Sequence, residues 1–436
     1  MIRKQFLLFQ RFYLPAFVAL ALASFSASAS TYSVLYTFGP FPDGHNPNPG
    51  LVIDSAGNIY GTTLEGGTSN ACGTGVGCGT LFKLSPNSDG TYTETILFNF
   101  LGDSTTGAFP GGLIFDSAGN LYGTTGTGGP CDNSGCGTVF EFTPNSDGSW
   151  THNTLFDFPG ESDGTFPTYG LTFDSAGNIY GTTGEGGTEN CGTIYELSPA
   201  GGGSWTHTVL YNFQCGSNGI NPNGGLLMDS RGNLYGTVLS GGSSSCSLPS
   251  CGFVFELVHG SGGQWTPKSL YNFSGGTDGG EPETGLAFSN GSLYGTTYFG
   301  GDLGCGGSSG CGVLFQLTEG SGGIWMETVI HSFTDGVDGA YPLAAPVFDS
   351  TGNLYGASQG SGSNNYGDVF KRTRLPGGGW SMNSLHHFGS APLGAGPNSI
   401  NLDVNGNVFG TAAYGGLIPC GVNSGNGCGT VFEITP

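Results

Sequence analysis

The stretch Leu113-Ile-Phe-Asp-Ser-Ala-Gly-Asn-Leu-Tyr-Gly-Thr-Thr125 recurs along the chain. Its copies end in Tyr60-Gly61, Tyr122-Gly123, Tyr180-Gly181, Tyr235-Gly236, Tyr294-Gly295, Tyr355-Gly356 and Phe409-Gly410. Successive glycines lie 62, 58, 55, 59, 61 and 54 residues apart. A unit this short cannot bury a core by itself, so seven copies must share one repetitive architecture.

Within the second unit, Gly112–Asp116 and Leu121–Thr125 are β-prone runs joined by Ser-Ala-Gly-Asn, which reads as a hairpin. The fifth copy shortens that turn to Ser289-Asn290-Gly291-Ser292, and Asn-Gly is a favoured two-residue hairpin turn. A glycine-rich loop carries Cys131 and Cys136 to a third strand at Thr138–Phe142. After the turn Pro144–Gly148, Trp150–Phe158 alternates large and polar residues as a fourth strand. No helical period intervenes. The chain is predicted to be all-β, a seven-bladed β-propeller with four antiparallel strands per blade.

The chain ends support closure. The last unit stops at Val431–Pro436, without its fourth strand. Tyr32–Phe38 matches the end of that missing strand, as comparison with Ile96–Phe100 shows. The N-terminal strand is therefore expected to complete the last blade and hide sheet edges that would template aggregation.

Arg3, Lys4 and Arg11, an apolar run from Leu14 to Ala23, and Ala27-Ser28-Ala29 predict a secretory signal over residues 1–29. Residues 30–436 are then the propeller. Loss of the signal leaves six Lys+Arg against 31 Asp+Glu, a surface that repels nucleic acid and anionic membranes. Glycine is abundant at 86 residues, but 31 Phe, 18 Tyr and 5 Trp recur at fixed places, which argues against disorder. No membrane span is expected. The mature chain is read as a monomer, secreted or periplasmic.

Twelve cysteines in an exported chain point to disulfides. Five pairs are close in sequence: Cys72/Cys78, Cys131/Cys136, Cys246/Cys251, Cys305/Cys311 and Cys420/Cys428. Cys191 precedes a third strand and Cys215 follows the fourth. Antiparallel neighbours put those ends on one edge, which predicts a sixth bond.

The Asp-Ser-x-Gly-Asn-Leu-Tyr-Gly-Thr core and the following Cys-Gly-Thr-Val-Phe-Glu-Leu strand resemble the GloVer tandem repeat of exported bacterial proteins, the choice-of-anchor proteins. The hairpin is also similar to blades of NHL-type propellers. The resemblance implies propeller-like repeats at or beyond the cell surface, and no established activity. The chain ends at Pro436 without a sorting tail, a departure from the anchored pattern.

The cysteine-bearing loops and the Asp-Gly-x-x-Pro linkers are expected to share one face, where most length variation gathers, and binding residues favour such loops. Candidate residues there are Asp43, Asp163, Asp278 and Asp338, with Phe166, Tyr169, Tyr298, Phe299, Tyr341 and Tyr414. Phe109 and Tyr366 belong to the same loops. The four aspartates are expected to cap their own linkers, the alternative being a calcium ring of oxygen ligands. No other cofactor or metal is expected. Asp54, Asp116, Asp174, Asp229, Asp349 and Asp403 read as turn residues, and Trp150, Trp205, Trp265, Trp325 and Trp380 as packing. His152 and His207 are expected to face solvent. No catalytic set is legible, since neither a metal-binding helix nor a nucleophile elbow occurs.

The functional expectation is a module that binds extracellular carbohydrate or another cell-surface polymer, or a protein, with its loop face. A secreted polysaccharide hydrolase or lyase using loop carboxylates at the channel mouth is the alternative. A structural spacer is the third reading.

Overall fold

The structure, a computed structural model, describes residues 30–436 apart from 74, 132–134, 243–245, 247, 249, 306–308, 361–363, 365, 390–392, 417–419 and 421–426. The expected signal over residues 1–29 lies outside the described residues.

Seven antiparallel sheets form the seven blades of a β-propeller. Blade 2 sets the pattern. Its inner strand is split into Ala108–Pro110 and Ile114–Phe115, followed outward by Leu121–Thr127, Thr138–Pro144 and Trp150–Asp157. The linker tripeptide ending in proline thus joins the sheet, pairing Ala108 with Thr127 and Pro110 with Thr125. The proline takes the sheet's inner edge, where a missing donor costs least.

Blade 7 contains Ala395–Leu402, Val408–Tyr414 and Thr430–Thr435, and its outer strand is Thr31–Thr37. The register runs from Thr31 opposite Thr435 to Thr37 opposite Thr430. The expected closure is present, so the ring has no free sheet edge between its ends.

The recurring Tyr-Gly has a packing cause. A Cβ on Gly123 would sit 2.5 Å from Cζ of Phe140, on the facing third strand, and one on Gly356 would sit 2.3 Å from Cζ of Phe370. The glycine gives way to a ring from the neighbouring strand. That ring packs towards the preceding blade, as in Phe100–Phe140 at 5.5 Å and Phe333–Phe370 at 5.7 Å. The tyrosine beside the glycine turns to the following blade and meets its tryptophan. Tyr60–Trp150 (5.8 Å), Tyr180–Trp265 (6.1 Å) and Tyr294–Trp380 (6.1 Å) are edge-on pairs of this kind. The tryptophans are therefore packing residues.

At the axis, small residues meet between blades. A Cβ on Gly50 would lie 2.8 Å from Cα of Gly112, and Gly225 approaches Gly170 as closely as Cβ contact allows. Seven inner strands converge there, and only small residues fit.

All six disulfides form as expected, including Cys191–Cys215, with Cα–Cα distances from 5.1 to 5.7 Å. Such bonds persist in oxidising compartments, which marks the protein as exported. Among the described residues no helix is long and apolar enough to cross a membrane.

Candidate functional site

On one face, six of the seven hairpin turns are each held by an aspartate, the blade 5 turn Ser289–Ser292 having none. Asp116 Oδ1 accepts from the amides of Ala118 (2.8 Å) and Asn120 (2.9 Å), while Asn120 Nδ2 and the Tyr122 hydroxyl donate to Oδ2. Asp54, Asp174, Asp229, Asp349 and Asp403 repeat the amide contacts, with Phe409 in place of the tyrosine in the last blade. These are turn residues, as expected.

The opposite face carries the linkers, and there the candidate residues part company. Asp43 accepts from the amides of Gly39 (2.6 Å) and Gly44 (2.8 Å) and from the Tyr36 hydroxyl. Asp278 takes the amide and hydroxyl of Ser274 and the Tyr271 hydroxyl. Asp338 binds Thr334 Oγ1 (2.6 Å) and His331 Nε2 (2.9 Å), and Asp163 accepts from Ser162 Oγ. Each caps its own linker, and three bond outer-strand side chains at the blade junctions. Among the described residues no group of three or more His, Cys, Asp or Glu converges on a point where a metal ion could sit.

Beside two of these aspartates sits a glutamate of the next outer strand. Burial and the nearby Asp43 charge push Glu94 up to about 7, and burial and Asp278 do the same to Glu327. In blades 2 and 3 that strand position holds His152 and His207. Both are half-buried and stack on Phe98 (4.8 Å) and Phe156 (4.3 Å) of the preceding blade. The expectation that they face solvent is corrected: their alternation turns them into a blade junction, and burial lowers both pKa values.

The channel mouth is built differently. The residue before each linker proline is Asn46, Phe109, Phe166, Asn221, Glu281, Tyr341 or Gly396, and all seven have φ between +55° and +64°. Each amide donates to a carbonyl at the start of the preceding blade's third strand. For Asn46, Phe109, Phe166, Asn221, Glu281 and Tyr341 the acceptors are Cys428, Cys78, Cys136, Cys191, Cys251 and Cys311, at 2.9 to 3.1 Å, and for Gly396 it is Tyr366 at 2.8 Å. The disulfide loop of one blade thereby fixes the linker of the next.

Six of these seven positions hold a non-glycine residue in a conformation that glycine adopts freely. Residues held strained in this way cluster at functional sites, which makes these side chains candidates. The backbone is the same seven times, while the side chains range from aromatic to acidic to amide.

Over blades 5 to 7 these positions gather aromatic rings and carboxylates. Tyr298 stacks on Tyr341 (5.0 Å, 27°) and meets Phe299 edge-on at 4.8 Å. A Cβ on Gly396 would touch Tyr414 Cδ2 at 3.1 Å, so Tyr414 lies over blade 7's place in the ring. Burial, then the charges of Glu283 and Glu281 and the phenols of Tyr341 and Tyr414, raise the Tyr298 pKa. Tyr169, on the inner strand side of blade 3, has its phenol raised by burial and by Glu283. Burial raises Glu281, and burial with the Glu281 charge pushes Glu283 up to about 7.

Of the sequence candidates, Tyr169, Tyr298, Phe299, Tyr341 and Tyr414 meet at the mouth, with Phe166 in the same ring at blade 3. Asp43, Asp278 and Asp338 stand apart at blade junctions. Glu281 and Glu283 were missed. Their signal is the sequence Glu281-Pro282-Glu283, where no other linker places an acid on either side of its proline.

The Gloeobacter/Verrucomicrobia repeat matches residues 21–172 and 132–307. The chain belongs to the Gloeobacter/Verrucomicrobia repeat family. No curated protein is similar to this repeat protein by sequence. Among solved structures, it is similar to the extracellular domain described as that of a hybrid two component system, BT4673 of B. thetaiotaomicron. Identity is 11%, the TM-score 0.52, and the match covers 91% of this chain and 39% of that one, so the repeat protein spans about two fifths of it. It is also similar to the periplasmic gluconolactonase of Pseudomonas aeruginosa, at 13% identity and TM-score 0.50, covering 86% of this chain and 99% of that chain. At such identities the likeness is one of fold.

Proposed function

We propose that the protein binds extracellular carbohydrate or a related cell-surface polymer at the channel mouth over blades 5 to 7. It would act as a monomer, secreted or periplasmic after removal of residues 1–29. The observation that carries the reading is the seven-fold ring of left-handed residues, in which one backbone geometry presents different side chains. Stacked Tyr298 and Tyr341, with Phe299 and Tyr414, offer rigid apolar faces suited to sugar rings. Glu281, Glu283, Asn221 and Asn223 supply hydrogen-bonding groups to fix orientation.

A glycan array probed with the mature chain, with and without calcium, tests this. We expect one glycan class to bind, and Tyr341→Ala to weaken it about tenfold, a loss of about 1.4 kcal/mol in the range of one aromatic contact. An array without hits would end the reading.

The pairing of Glu281 with Glu283 favours a second reading, a hydrolase or lyase in which Glu283 is the general acid. A carboxyl that titrates near 7 is suited to that role. New reducing ends from a bound polysaccharide, lost in Glu283→Gln, would establish it.

A further inference from the structure

We propose that the mouth over blades 5 to 7 recognises a cationic glycan, a polymer of amino sugars whose amines are free and protonated. The inference rests on the carbohydrate reading and deepens it.

Charge distribution is the first argument. Beyond residue 29 there are six Lys and Arg. Lys83, Lys371, Arg372 and Arg374 lie on third strands, Lys268 on a fourth strand, and Arg231 in the hairpin turn that Asp229 caps. None lies on a linker or a disulfide loop. The linkers carry Asp43, Asp103, Asp163, Asp278, Glu281 and Glu283 with no Lys or Arg among them. A face that carries one sign of charge concentrates ions of the other sign and repels uronates, sulfated glycans and phosphates.

The second argument comes from unfilled hydrogen-bonding capacity. Asn223 follows Pro222 on the inner strand of blade 4, as Glu283 follows Pro282 in blade 5. It is only 7% exposed, and its Oδ1 has no hydrogen-bond partner among the described residues. A buried acceptor left open costs free energy unless a donor arrives. Glu283 holds the matching place in blade 5, and Glu281 and Glu283 also accept when ionised, so the complementary ligand is a donor. An ammonium group donates three hydrogen bonds and carries the charge this face lacks.

The third is the aromatic wall. Tyr298, Phe299, Tyr341 and Tyr414 present ring faces or edges to the same mouth. Aromatic faces attract cations as well as sugar rings, so one wall serves both parts of an amino sugar. A neutral glycan would use the rings and hydrogen-bond the carboxylates, but leave their charge uncompensated.

The test is titration calorimetry of the mature chain, near neutral pH and at low salt, with a glucosamine oligomer and with its N-acetylated counterpart. We expect the free-amine oligomer to bind about fivefold tighter, as one added close charge pair allows. Its affinity should pass through a maximum at about pH 6, where the carboxylates have begun to ionise and the sugar amines still carry their protons, while the acetylated oligomer's stays level. The double variant Glu281→Gln/Glu283→Gln should abolish the preference without changing the melting curve's shape. Tyr341→Ala should weaken both oligomers alike. Equal binding of the two oligomers would overturn the cationic inference and leave the carbohydrate reading intact. No binding of either would overturn both. Oligolysine binding as tightly as the amino-sugar oligomer would also overturn the inference, because the site would then read charge alone.

Discussion

Blades 2 and 6 have the same strands and the same Tyr-Gly packing, yet their interiors differ. In blade 2, Thr125 and Thr138 face each other across the sheet with hydroxyls 2.9 Å apart, and Phe140 and Phe142 pack against Phe98 and Phe100 of blade 1. Thr63 with Thr80 and Thr183 with Thr193 repeat the hydroxyl pair. In blade 6 the same register brings Ser358 opposite Asp368. Ser358 Oγ and Asp368 Oδ2 have no partner among the described residues, while Asp368 Oδ1 holds Ser384 and His387. Arg372 takes the place of Phe142, buried over Phe370 with Nε and Nη2 unpartnered among the described residues. Blade 6 also has no cysteine in its loop. The comparison teaches that the glycine–ring contact and the linker lock are what every blade needs, and that the rest can vary.

Four experiments would break or sharpen that contrast. The largest effect belongs to the shared element. Gly123→Ala and Gly356→Ala should each destabilise by about 3 kcal/mol, because a Cβ meets a ring that cannot retreat. Denaturant melts of both variants check it, and tolerance in blade 6 alone would mean its interior is looser. Next come the staples. Removing Cys131–Cys136 should cost about 2 kcal/mol, and removing Cys191–Cys215, with its 24-residue separation, about 3 kcal/mol, by chain-entropy arithmetic. Equal losses would show that loop length does not set the contribution.

Smaller is the gain expected from Arg372→Leu, about 1–2 kcal/mol by thermal unfolding. It would restore the apolar residue that sister blades carry and remove a guanidinium that burial holds at about 10. A loss of stability would mean the guanidinium has a partner that this geometry does not show. The last test reads a slope in place of a single loss, the pH dependence of Asp368. Burial, aided by the Asp338 charge, raises it to about 7 against an ordinary 3.8. Folding therefore favours its neutral form. That contribution is full below about pH 4 and declines as pH rises towards 7, because the unfolded chain gives up this proton first. Melting temperatures of Asp368→Asn should fall less than those of the parent over that window. Parallel curves would refute the assignment.

Much of the fold could be read from the chain. The period located seven hairpins, and the match of Tyr32–Phe38 to a missing fourth strand located the seam. Antiparallel direction alone paired Cys191 with Cys215. Turn aspartates and tryptophans were legible because each does a local task that its own unit defines.

The candidate site was legible only in part. The linker aromatics were named, but nothing local separates Tyr298 and Tyr341, which stack on each other, from Phe109, which packs into a blade junction. Glu281 and Glu283 escaped notice because their importance comes from neighbours contributed by blades 3, 6 and 7. His152 and His207 were misplaced since alternation gives the side of a strand but not what covers that side. The left-handed ring ran against expectation, as a residue before proline ordinarily favours extended backbone.

By itself, the sequence determined the repeat, the strand order, the disulfides and the ring closure, since each follows from patterns within one unit or between the chain ends. Only the tertiary structure decided which loops meet at the mouth, which carboxyls are desolvated there and which linker residues are held strained. Those properties depend on distances between blades some 54 to 62 residues apart in the chain, and a repeat that tells each blade how to fold says nothing of what its neighbour will present.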